Sequence, residues 1–222
     1  MGNSLDFSWL GDAIKLIGTG AAMTILLVVV TAFLGTLLSI LGALGRTSRY
    51  PMIRRIVKAY VELIRNTPFL AQLFFIFFGL PSLGIRLNPI VAAILAMTIN
   101  LAAYGTEIVA AGLAAVPTGQ REAAQALGLR PRLVFVKIVL PQALKIIFPA
   151  LTSQIVIMML ESAVVSQISV RELTYEADLL QARTFLAFET YLVVTLVYLG
   201  LSVALRRLMF AGGSKFIFSG QP

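Results

Sequence analysis

Five long apolar stretches, separated by short polar segments that are alternately basic and acidic or balanced, organise this chain. A helix crossing the hydrocarbon core of a bilayer needs about 20 predominantly apolar residues, and each stretch is long enough. The first predicted span runs from Ala13 to Leu44 and carries Gly35, Ser39 and Gly42 at spacings of three and four. Small residues so spaced let helices approach closely in lipid. The second span is expected from Tyr60 to Leu80, with phenylalanines at 69, 74, 75, 77 and 78 for lipid contact or packing. Pro81, Gly84 and Pro89 bracket a turn, as such residues punctuate regular structure. The third span is expected from Pro89 to Val116, and the fourth from Val139 to Val165, interrupted by Pro141 and Pro149. Residues 168–184 are too charged to cross and predict an amphipathic surface helix, and the fifth span follows from Phe185 to Leu205. The expectation is an all-α membrane protein of about five transmembrane helices, with residues 1–222 forming one domain.

Composition agrees. Of 222 residues, 59% are hydrophobic and 13% charged, with a mean hydropathy of +0.92; soluble domains run to about 45–50% apolar and 25% charged. The opening residues carry Asp6, Asp12 and only Lys15, unlike the positive start of a signal peptide, so the first span is expected to be retained. There is no Cys and no His, which removes disulfides, thiol catalysis, the commonest general base and the commonest metal ligand. No catalytic residue and no metal site are predicted.

The net charge of +8 points to lipid-flanking loops rather than to nucleic acid, because Lys and Arg collect in cytoplasmic loops. Most of them fall in residues 45–58, 117–145 and 206–215, which five spans place on one side. The other side holds Asp6, Asp12, Glu172, Glu176 and Asp178. The N-terminus is therefore expected outside and the C-terminus in the cytoplasm of a multi-pass inner-membrane protein.

The polar segment 117–137 carries the most specific pattern. Glu122-Ala123-Ala124 is followed by Gly128, and after nine further residues by Ile138, Val139, Leu140 and Pro141. Residues 122–127 favour a helix, and Gly128 suits a left-handed cap. The pattern resembles the EAA loop of bacterial ABC-importer permeases, which are ATP-driven transporters. Three further blocks resemble the polar amino acid group of that family: Tyr60 to Gln72, Ala103 to Ile108, and Val165 to Thr174. The resemblance covers about residues 10–210. It implies the type I ABC importer permease fold and a function in translocating polar amino acids. Glu122, Ala123, Ala124, Gly128 and Pro141 would couple the chain to a separate ABC ATPase dimer. It also implies a second permease subunit, identical or related, and an extracytoplasmic solute-binding protein docking on residues 81–88 and 166–184. This chain would need no cofactor of its own, with ATP and Mg on the partner ATPase; no P-loop pattern occurs, and Gly212-Gly213-Ser214-Lys215 has the wrong spacing for one.

Two positions depart from the family pattern. Ala110 and Leu160-Glu161-Ser162-Ala163 stand where the family carries a positive charge. An opine or another small polar solute is the alternative cargo. Charges at membrane depth cost roughly 2.5–3.5 kcal/mol on insertion scales, so Glu107 and Glu161 demand a reason. One is a polar substrate pathway between spans three and four, formed by Asn100, Tyr104, Glu107, Gln154, Glu161 and Ser162. The other is structural: Glu107 tying spans together, Glu161 solvated at the outer interface. Glu62 and Arg65, three apart, are expected to pair along one helix face. Pro68, Pro141 and Pro149 are either hinges or static kinks. A proton-coupled transporter with Glu107 as relay is the competing mechanism, and an intramembrane enzyme lacks its usual residues.

Overall fold

A computed structural model describes residues 5–213, entirely helix and connecting turns among those residues. Lys215 of the expected basic C-terminal segment lies outside them. Helix α1 spans Leu10–Arg46, and its 37 residues reach about 55 Å at 1.5 Å per residue. It therefore extends well past the hydrocarbon core. A sharp turn leads to α2 (Pro51–Arg65), then α3 (Phe69–Phe74), which continues through a π turn and a 3-10 turn to Leu83. Helix α4 (Pro89–Ala114) is the central element: 61% of its most apolar window is buried inside the protein, against 11% for the last helix. The short helices α5 (Thr118–Ala126) and α6 (Pro131–Val134) precede a π turn and α7 (Leu140–Glu161). A 3-10 turn, α8 (Leu173–Thr184) and α9 (Ala187–Gly213) complete the chain.

Four helical stretches are long and apolar enough to cross a membrane, and α2 with α3–Leu83 makes a fifth bent by 109°. That bend corrects the expected second span. The apolar run from Tyr60 to Leu80 is interrupted at Asn66-Thr67-Pro68, where Pro68 is extended at ψ 139°. Proline has no N–H to continue α2 and disfavours helix at the residue before it. Gln72 closes the elbow: its side-chain amide donates to the carbonyls of Ile64 (2.8 Å) and Thr67 (3.0 Å). The expected Glu62–Arg65 pair is not made either. Glu62 lies 3.6 Å from Lys58, and Arg65 turns to Glu107.

Both π turns, Phe75–Gly79 and Phe135–Val139, end two residues before a proline, Pro81 and Pro141. A proline cannot donate to the carbonyl four residues back, and widening the preceding turn absorbs the lost bond. The Gln142 side chain covers the Ile138 carbonyl at 2.8 Å.

The stripe of small residues on α1 meets α4. A Cβ on Gly35 would sit 2.7 Å from the Leu101 side chain, and one on Gly42 would coincide with Thr106. From the α4 side, a Cβ on Gly105 would strike Ser39. Ser39 also donates its hydroxyl to Gly35 O at 2.7 Å, so this polar group is satisfied inside the contact. Overpacking costs typically about 1–3 kcal/mol, and the short Ser39 side chain, whose Cβ would also lie 2.8 Å from the new Cβ on Gly105, has little freedom to move aside. Gly105→Val is therefore expected to lower the thermal unfolding midpoint in detergent clearly, whereas Gly18→Ala, with open space around it, should leave it unchanged.

Segment 168–184 also differs from expectation. The fourth span continues as a 3-10 turn to Ile168, and the helix that follows is not a free surface helix. Helix α8 buries Leu173, Glu176, Ala177 and Leu180 in a cluster with Ala13 and Ile17 of α1 and Val194 of α9. Its two buried carboxylates are answered internally. Glu172 accepts from Tyr198 Oη (2.6 Å) and from the Tyr175 N–H (2.9 Å), capping α8. Glu176 takes both a 2.9 Å and a 3.3 Å bond from the Arg171 guanidinium.

Candidate functional sites: the α5 loop and the polar seam of α4

Helix α5 is nine residues long and ends in a closed cap. Gly128 adopts φ +75°, its N–H donates to Gln125 O at 2.9 Å, and the Leu129 N–H donates to Ala124 O at 3.2 Å. That pair of bonds, with the left-handed residue just past the helix, is the Schellman arrangement. Ala124 is buried against Val116, Val134, Val139 and Ala143, and the same cluster holds Ala43 of α1 and Val109 of α4. Gln120 is hydrogen-bonded to Gln142 of α7, and Arg121 donates to Leu113 O of α4. The short helix is thus fastened to the ends of two spanning helices, α4 and α7. Glu122 and Ala123 face outward, and Leu127 is 81% exposed beside Gly128. Pro141 is exposed at the start of α7.

The second site is a polar seam along α4. Asn100, Tyr104 and Glu107 lie four and three residues apart and so share one face. Asn100 is buried and donates to Gln72 Oε1 at 3.0 Å. Arg65 lies over the Tyr104 ring at 5.4 Å. The Glu107 carboxylate is paired with Arg46 of α1 and lies 3.6 Å from Arg65 of α2. Together with Lys58, Glu62 and Asn66 these groups line a cleft of about 380 Å³. Tyr60 Oη donates to Ile99 O at 2.6 Å and fixes α2 alongside. The structural reason for Glu107 is therefore present: it neutralises two arginines from two other helices.

The remaining expected pathway residues lie elsewhere. Helix α7 runs antiparallel to α4, with Ile147 against Gly112 and Leu151 against Gly105. Glu161, ten residues beyond Leu151, stands roughly 15–20 Å from Glu107 along the axis at 1.5 Å per residue. It is half-buried, and its Oε2 is buried without a hydrogen-bond partner. Ser162 is buried and donates back to Met159 O at 2.6 Å. Gln154 is half-buried between the two levels. The six residues thus divide into a paired group on α4 and a second group toward the other end of α7. Arg46, Arg65 and Gln72 complete the α4 seam, a role the sequence did not assign to any of them. Their partners are 61, 42 and 28 positions away, beyond any local spacing.

Comparison with known proteins places this geometry. The family described as "Binding-protein-dependent transport system inner membrane component" matches residues 35–212. The arginine transport system permease protein ArtQ of Bacillus subtilis is 36% identical over 88% of this chain and 90% of its own length. A probable amino-acid ABC transporter permease protein, y4tF, of Sinorhizobium fredii is 34% identical over 90% and 87%. A crystal structure of an amino acid ABC transporter with histidines superposes with a TM-score of 0.89 at 33% identity, covering 96% of this chain and 100% of that one. An inward-facing methionine ABC transporter, MetNI, shares the fold at a TM-score of 0.68 and 24% identity. The α5 loop, the five apolar crossings and these matches agree: the chain belongs to the family of binding-protein-dependent transport system inner-membrane components, the permease subunits of ABC importers.

Proposed function

We propose that the chain forms the membrane pathway of an importer that carries polar amino acids inward, powered by ATP hydrolysed with Mg on a separate ATPase dimer. The observation that carries this reading is α5: a capped helix fastened to two spans, α4 and α7, while presenting Glu122, Ala123 and bare Leu127. Its exposed face would seat in the ATPase, and Ala124, Gly128 and Pro141 would hold it in place and pass motion to α7. The basic segments set this side in the cytoplasm, with the N-terminus outside. A second permease, identical or related, would complete the pathway, and a solute-binding protein would deliver cargo at residues 81–88 and the 166–184 region. Relatives named for arginine, glutamine and L-cystine support an amino acid cargo. Glu161 is the group best suited to meet a substrate ammonium, because its buried oxygen has no partner. Asn100, Tyr104, Gln154 and Ser162 would line the route, with Glu107 holding the α4 side in shape.

The test uses right-side-out vesicles carrying the intact transporter, loaded with ATP and held with a protonophore. Uptake of labelled polar amino acids should persist with the protonophore and stop when the internal ATP is removed. Uptake that collapses with the protonophore while ATP remains would replace this reading with a proton-coupled carrier. Uptake of an opine alone from a mixed panel would keep the machine and change the cargo.

A further inference from the structure

We propose that α2 is a membrane-surface helix that binds the headgroups of anionic phospholipids through Arg55. Residues 46–65 hold six cations, Arg46, Arg49, Arg54, Arg55, Lys58 and Arg65, against one carboxylate, Glu62. Arg46 and Arg65 are committed to Glu107, and Lys58 to Glu62. Among the described residues neither Arg54 nor Arg55 is ion-paired, and both are exposed.

The rest of α2 explains what Arg55 faces. Along one edge the helix is held by the protein: Val61 is buried, Val57 lies against Gly45, and Tyr60 bonds to α4. On another edge Met52, Ile56 and Leu63 are 65%, 57% and 64% exposed. At offsets of four and seven residues they form one stripe, with Arg55 beside it and Arg54 on the opposite side of the helix, in line with Val61. The 109° bend between α2 and the crossing piece that follows sets α2 near the membrane plane. A basic face beside an apolar stripe on an in-plane helix is the pattern of an interfacial helix. The apolar side chains enter the acyl boundary, and the cations meet negative headgroups. The occupant is lipid rather than a second copy of this helix, because two such segments face to face would bring unpaired arginines together.

The full chain contains no cysteine, so Met52→Cys, Ile56→Cys and Leu63→Cys can each take one nitroxide label in vesicles. The expected result is high accessibility to oxygen and low accessibility to a water-soluble nickel chelate at all three positions. High nickel accessibility, or protection from both reagents by a second copy or a partner protein, overturns the proposal. The headgroup half is read by native mass spectrometry of the full chain with phosphatidylglycerol and phosphatidylcholine in competition. Each surface arginine contributes roughly fivefold to anionic-lipid preference, so Arg55→Gln should lower that preference about fivefold. Arg130→Gln, with the same charge change in the α5–α6 connection, should leave it unchanged. Equal loss in both variants, or no loss in the first, overturns the assignment to α2.

Discussion

Gly128→Val is expected to slow transport about tenfold or more while leaving the membrane helices folded. Gly128 sits at φ +75°, and nothing approaches the place a Cβ would occupy. The penalty is therefore one of backbone alone: left-handed conformation costs an ordinary residue roughly 1–2 kcal/mol, more when it is β-branched. The strain falls on the two hydrogen bonds that end α5, a helix too short to hold its shape without its cap. Leu127, beside the cap, would then lose its fixed position. A cost of this size at the coupling surface corresponds to a rate loss of roughly tenfold or more. Gly128→Asn, which tolerates the left-handed region, should keep most of the rate. The measurement is ATP-driven uptake for both variants beside thermal unfolding in detergent, where the midpoint should move little because the loop contributes one buried residue, Ala124. Normal uptake by Gly128→Val would remove α5 from the coupling path.

Glu107→Gln is expected to destabilise the protein, and Arg46→Gln should relieve much of that loss. Removing the carboxylate leaves the guanidiniums of Arg46 on α1 and Arg65 on α2 without their shared partner in the cleft. An unpaired arginine at membrane depth costs about 2.5–3.5 kcal/mol. These side chains are 30–41% exposed, so solvent screening reduces the expected cost to about 1–2 kcal/mol. Coupled neighbours show interaction energies of about 0.5–3 kcal/mol in double-mutant cycles, and a value in that range is expected for Arg46 with Glu107. The same pair of variants separates the two reasons for a carboxylate at this position. A structural tie predicts lost stability with cargo preference unchanged. If Glu107→Gln unfolds like the parent but no longer transports, the carboxylate meets cargo instead.

The parts of this protein that could be foreseen are those governed by local spacing. The apolar windows located the crossings, and glycine and serine on α1 at spacings of three and four proved to be the face that α4 packs on. Gly128 was expected to be left-handed from its place after a run of helix formers, and it is. What escaped depended on partners distant in sequence. The window from Tyr60 to Leu80 stays apolar across Pro68, so average hydropathy passes over the elbow that the proline makes. The charges of α8 suggested a water-facing helix, whereas Glu172 and Glu176 are buried because Tyr198 and Arg171 satisfy them. Glu107 and Glu161 were grouped because both are carboxylates in adjacent spans. The antiparallel register of α4 and α7 sets them at different depths.

The account rests on an engine outside this chain, and gentle purification of the tagged protein from native membranes with mass spectrometry of what accompanies it tests that most directly. A P-loop ATPase should come with it in stoichiometric amount and be lost from a variant combining Glu122→Lys with Leu127→Asp, while the membrane fold persists. If the parent chain emerges without an ATPase, or the variant retains one equally well, the exposed face of α5 is not where energy enters.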